Sequence, residues 1–95
     1  MKYLENYGFN SSQIDEVLNC IPMSVATALD SQKKLVGKNV QFLKELGLDN
    51  VFDVFFNYYD MFLMDNSLFE EVFNKYDRED LVEKITQNIA IIEYL

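Results

Sequence analysis

Tyr3-Leu4-Glu5-Asn6-Tyr7-Gly8-Phe9 returns as Phe42-Leu43-Lys44-Glu45-Leu46-Gly47-Leu48, 39 residues later in the chain. Both copies read aromatic, apolar, two polar, apolar, glycine, apolar. Each leads into a polar or acidic stretch and then into apolar residues at helical spacing. Self-similarity at this distance is characteristic of stacked helical units, so the repeat points first to architecture.

Working outward from the two copies gives a chain of helices. A short helix over about residues 2–7 should end at Gly8, which takes a left-handed conformation at little cost. Asn10-Ser11-Ser12 then supplies capping oxygens for a helix with Ile14, Val17, Leu18 and Ile21 inward. Pro22 closes it, because the residue before a proline is pushed out of the helical region. Met23 to Leu29 is apolar but short and reads as a single turn. Asp30-Ser31 caps the next helix, where Leu35, Val36, Val40, Phe42, Leu43 and Leu46 form a wide apolar stripe up to Gly47.

Asp49-Asn50 caps a third long helix, in which only Asp53, Asn57 and Asp60 mark a solvent stripe. Its apolar circumference places it at the centre of the fold. Asp65-Asn66-Ser67 starts a fourth helix with Leu68, Phe69, Val72, Phe73 and Tyr76 inward. Asp77-Arg78-Glu79-Asp80 starts a fifth, carrying Leu81, Val82, Ile85, Ile89 and Ile92, and its acidic first turn suits the helix dipole. No stretch alternates with period two for long enough to form a strand. The expectation is one all-α domain over residues 1–95, with about five main helices in two to three stacked helical-hairpin units.

Composition agrees with a folded chain of that size: 95 residues, 49% hydrophobic and 15% aromatic, with only 3 Gly and 1 Pro. The net charge of −8 is unevenly spread. Residues 1–46 hold five acids and five bases, whereas residues 47–95 hold eleven acids against Lys75, Arg78 and Lys84, so the whole −8 lies after Leu46. Such a half repels phosphate and attracts basic surfaces, although solubility alone also explains it. The single Cys20 excludes an internal disulfide, and its apolar neighbours suggest a buried free thiol in a reducing compartment. No signal peptide and no run near the ~20 apolar residues of a membrane span is evident. The expected location is cytoplasmic, with no membrane partner.

The ordered elements resemble the mitochondrial transcription termination factor (mTERF) family. Phe9-Asn10-Ser11-Ser12-Gln13-Ile14 with Val17-Leu18, then Ile21-Pro22, looks like the first helix of such a unit and its proline end. Leu35, Val40, Phe42-Leu43 and Leu46-Gly47-Leu48 look like the second helix running into the next unit. Later units depart from the pattern, with Tyr59 and Ile89 standing where Pro22 would recur. The resemblance implies a curved, non-enzymatic helical stack that binds nucleic acid through a basic groove. The only basic cluster to serve that role is Lys33, Lys34, Lys38 and Lys44, and a solvated helix face is the simpler reading of it.

Catalytic chemistry finds little support. The chain has no His, which removes the commonest general base and transition-metal ligand. No phosphate-cradling glycine motif or nucleophile elbow occurs, and no catalytic residue, metal site or cofactor is expected. The surplus lies in aromatics: Phe52, Phe55, Phe56, Tyr58, Tyr59, Phe62, Phe69, Phe73 and Tyr76. Core filling is the default for these, with an exposed interface patch as the alternative. The leading functional expectation is therefore an acidic interaction module that binds another protein, plausibly a basic or nucleic-acid-binding one, as an inhibitor or regulator. Its candidate interface residues are Asp53, Tyr58, Tyr59, Asp60, Glu70 and Glu71. Homodimerisation is a further option, and nucleic acid the less favoured partner.

Overall fold

The two glycine-bearing heptads build the same local geometry. In a computed structural model describing residues 1–95, Gly8 and Gly47 both adopt the left-handed conformation, with φ 94° and 109°. The Phe9 amide donates back to the Leu4 carbonyl at 3.2 Å, and the Leu48 amide to the Leu43 carbonyl at 3.3 Å. These are matching helix-stop motifs, in which the residue after the glycine folds back onto a residue one turn inside the helix. Leu4, Phe9, Leu43 and Leu48 are all buried. The spacing of leucine, glycine and the next apolar residue thus has a local physical cause in both copies.

The chain is all-helical, with no strand. A 3-10 helix over Lys2–Tyr7 precedes α1 (Ser11–Cys20), α2 (Met23–Ser31), α3 (Lys33–Leu46) and α4 (Val51–Asn57). A second 3-10 helix, Tyr59–Leu63, leads into α5 (Asn66–Asn74) and α6 (Arg78–Gln87), and a third, Ile89–Tyr94, follows. Expected side-chain caps are made at the starts of α1, α5 and α6, whereas Asn50 precedes α4 without capping it, its buried Oδ1 lacking a partner. Asn10 and Gln13 form a reciprocal capping box at α1, at 2.8 and 3.0 Å. Asp65 and Asp77 accept backbone amides at the starts of α5 and α6.

Several expectations need correction. Residues from Met23 form a nine-residue α-helix rather than one turn, since nothing before Ser31 breaks it. Asp30 and Ser31 therefore end α2 instead of capping α3, which starts after Gln32. The centre of the fold is α3, not the helix after Gly47. Helix α3 packs against the first and second 3-10 helices, α2, α4 and α5, and Val36, Gly37, Asn39, Val40, Leu43 and Leu46 are buried along it. Leu18 on α1 and Leu68 on α5 are exposed, and so is Tyr76, which lies past the end of α5 at Asn74. Cys20 is exposed at the end of α1 rather than buried; its neighbours Leu18 and Pro22 are exposed too, and Ile21 is only half-buried. Ile89 and Ile92 lie on the last 3-10 helix and not on α6.

Helix α4 is short because the chain must turn inward. A straight helix from Phe55 to Phe62 would separate their backbones by about 10 Å. The break at Tyr58 instead brings the two rings to 4.9 Å. It also frees the Phe62 and Met64 carbonyls, which both accept from the buried Asn39 amide at 3.0 Å. The aromatic surplus divides by type. All eight phenylalanines join in one network of ring contacts, with centroids 4.9 to 6.1 Å apart. None of the six tyrosines is fully buried: Tyr3, Tyr7, Tyr58 and Tyr59 are half-buried, and Tyr76 and Tyr94 are exposed.

Gly37 lets the first 3-10 helix lie close against α3. A Cβ at this position would sit 2.7 Å from Cζ and 2.9 Å from Cε2 of Tyr7. No side chain fits between α3 and the tyrosine ring.

Candidate functional site

The surface after Gly47 is dominated by unpaired carboxylates. Of its eleven acidic residues, only Asp80 has a cation within ion-pair distance, Lys84 at 3.0 Å. Asp65 and Asp77 are occupied with helix caps. Every one of these acids except the half-buried Glu70 is exposed.

The expected interface residues divide among separate places. Tyr58, Tyr59 and Asp60 line a shallow cleft of about 300 Å3 with Met61, Ile92 and Glu93. Its position follows from the break after α4, which turns two tyrosines outward against the last 3-10 helix. The Tyr58 hydroxyl donates to Glu93 Oε2 at 2.9 Å. That hydrogen bond, aided by desolvation and nearby negative charge, raises the Tyr58 pKa. Asp53 lies one turn away on α4, exposed, with its carbonyl accepting from Asn57 Nδ2 at 2.8 Å. Glu70 lines a different cleft, between α3 and α5. Glu71 is exposed and lines neither. The six residues do not converge on one point.

The lysines do not form one patch either. At 100° per residue along α3, Lys33 and Lys44 share one face and Lys34 and Lys38 another. Lys33 borders the amino-terminal residues, beside Tyr3 and Asp30. Lys44 borders Gly8 and Phe9, about three turns further along. The first 3-10 helix lies against the face of α3 between them, over Gly37. All four lysines are exposed.

A buried polar group escaped the sequence reading. Asn39 is 1% exposed, and its Oδ1 accepts from Asn66 Nδ2 at 2.8 Å. Asn66 Nδ2 also donates to the Leu35 carbonyl at 3.1 Å. The signal was present, since Asn39 lies three residues after Val36 and four before Leu43, inside the apolar stripe of α3. A second missed group is Arg78. Its Nε donates to the Leu46 carbonyl at 2.9 Å and its Nη2 to the Glu45 carbonyl, closing the carboxyl end of α3.

No group of three or more potential ligand side chains is gathered as a metal site would require. No helix is long and apolar enough to cross a membrane. No known protein family, curated protein or solved structure matches the chain. Chemically, the surface offers hydrogen-bond acceptors, negative charge and aromatic edges, which suit cations and the side chains that carry them.

Proposed function

We propose that this protein is a non-enzymatic interaction module that binds a basic partner protein through the acidic half following Gly47. The observation that carries this reading is that ten of the eleven carboxylates there lack an ionic partner within the molecule. Unpaired, exposed carboxylates speed encounter with a basic surface and favour it over acidic ones. A partner whose basic surface normally holds nucleic acid would have that surface occupied, so the module would act as its inhibitor or regulator. Stacked helical hairpins of mTERF type are the finer architectural reading, supported by the order of α1 ending just before Pro22, the shorter α2 and the longer α3.

Affinity purification at low ionic strength, followed by titration of each captured protein at rising salt, tests this function. Basic partners, with affinity falling steeply as salt rises, are the expected result. Neutral or acidic partners, or binding indifferent to salt, would sink it.

The alternative is an mTERF-like nucleic-acid binder using Lys33, Lys34, Lys38 and Lys44. Division of these lysines between two faces of α3 weighs against a continuous phosphate track. A gel-shift with duplex and single-stranded DNA and RNA at low salt decides it: a retarded band lost on Lys34→Gln/Lys38→Gln substitution would favour the alternative.

A further inference from the structure

The carboxyl end of α3 carries a groove that none of the expected interface residues except Glu70 anticipated. Two adjoining clefts, of about 270 and 420 Å3, share Leu46 and Arg78 as common wall. The floor is apolar: Phe42 on α3, Tyr76 beyond α5 and Val82 on α6 join Leu46 there. Tyr76 is 43% exposed, so a large aromatic face stands open to water at this place.

Four carboxylates surround this floor. Glu45 and Glu70 line the first cleft, and Glu79 and Glu83 the second. None forms an ion pair. The one cation in the wall, Arg78, has its guanidinium turned to the Leu46 and Glu45 carbonyls. Four negative charges therefore meet one positive charge, and that one is already engaged. Lys75 is close in sequence but does not line either cleft.

An apolar floor beneath an acidic rim has a definite complement. We propose that this groove docks a basic amphipathic segment of the partner protein, with one apolar side chain on Tyr76 in the first cleft, another on Val82 in the second, and flanking Lys or Arg side chains against the glutamates. Apolar contact would supply the anchor, and the rim charges would set orientation and exclude acidic competitors. The inference rests on the functional reading above and narrows it to one surface.

The test uses the full chain and a synthetic amphipathic Leu/Lys peptide, with a Gly/Lys peptide of equal charge as control. Amide chemical-shift changes in the protein should cluster at residues 42–46 and 70–83. The Leu/Lys peptide should bind more tightly than the control. Tyr76→Ala should weaken binding about tenfold with the salt slope retained. Glu70→Gln/Glu83→Gln should weaken it and flatten that slope. Tyr76 and Glu83 are exposed, and unchanged thermal melts would show that the variants fold.

Equal binding of the two peptides would overturn the groove, because charge alone would then suffice. Salt-sensitive binding with shifts at the Tyr58–Glu93 cleft, unaffected by groove substitutions, would overturn the groove while sparing the wider functional reading. Absence of binding to either peptide at low salt would overturn both.

Discussion

Asn66 donates its side-chain amide to Asn39 Oδ1 at 2.8 Å, joining residues 27 apart in the chain. Asn39 in turn donates to the Phe62 and Met64 carbonyls. One side chain in the middle of α3 thereby fixes both the second 3-10 helix and the start of α5. Replacing it by alanine would strand these carbonyls in an apolar interior. Asn39→Ala should cost about 2–4 kcal/mol in urea denaturation. Asn39→Asp keeps the acceptor for Asn66 but loses the donors, so it should be comparably damaging at neutral pH. If either variant melts with the wild type, the network contributes nothing to stability.

The close passage of Tyr7 over Gly37 makes a prediction whose sign depends on background. In an otherwise unchanged chain, Gly37→Ala should destabilise by about 1–2 kcal/mol, because the methyl group displaces the tyrosine ring. With Tyr7→Ala already in place, the same change should stabilise by about 0.5–1 kcal/mol through helix propensity alone. A double-mutant cycle reads this reversal directly. Equal effects in both backgrounds would show that the ring swings away freely.

The two helix stops should respond alike to loss of glycine. A left-handed conformation costs a residue with a Cβ about 1–2 kcal/mol. A Cβ at Gly47 would meet no atom within 4 Å, and one at Gly8 would meet only Lys44 Nζ at 3.4 Å. The backbone term therefore dominates at both places. Gly8→Ala and Gly47→Ala should each lose stability of that order, and the Asn variants less. Thermal melts of the four proteins check the ranking.

Tyr3 links the fold to alkaline pH. Its hydroxyl donates to the Leu29 carbonyl at 2.7 Å. Burial, then the charge of Asp30 and the neighbouring Tyr7, raise its pKa well above the ordinary 10.0. The folded state thus holds a proton that the unfolded chain releases. Stability from this group is complete below about pH 10 and declines as pH rises towards the folded value. Tyr3→Phe should be less stable than wild type at pH 8, for want of the hydrogen bond, and the gap should narrow between pH 10 and 11.5. Urea titrations across that range provide the measurement; a gap that widens would contradict it.

Much of the helix order was legible because local residues impose it. Gly8, Gly47, Pro22, Asp65 and Asp77 act within one turn, and each helix end they imply is present. Helical periodicity also found the inward face of α3. It failed where the outcome depends on a neighbour from elsewhere in the chain. Leu68 fits the stripe of α5 but is exposed, and Tyr76 falls past the end of that helix at Asn74, half-open beside α3. The segment after the break at Tyr58 is held by Asn39, which bonds the Phe62 and Met64 carbonyls from 23 and 25 residues earlier. Glu70 and Arg78 meet in one cleft through the packing of α5 beside α3, a relationship no spacing rule encodes.

The paired stops at Gly8 and Gly47 bear on how kinship is read within a chain. A seven-residue match arises here between the tail of a 3-10 helix and the tail of a fourteen-residue α-helix, two objects of different winding and length. What they share is the instruction to halt and bury the next residue. Any helical chain issues that instruction repeatedly, and it has few residues with which to spell it. Internal likeness of this kind measures a common grammar of termination, and duplication is not needed to produce it.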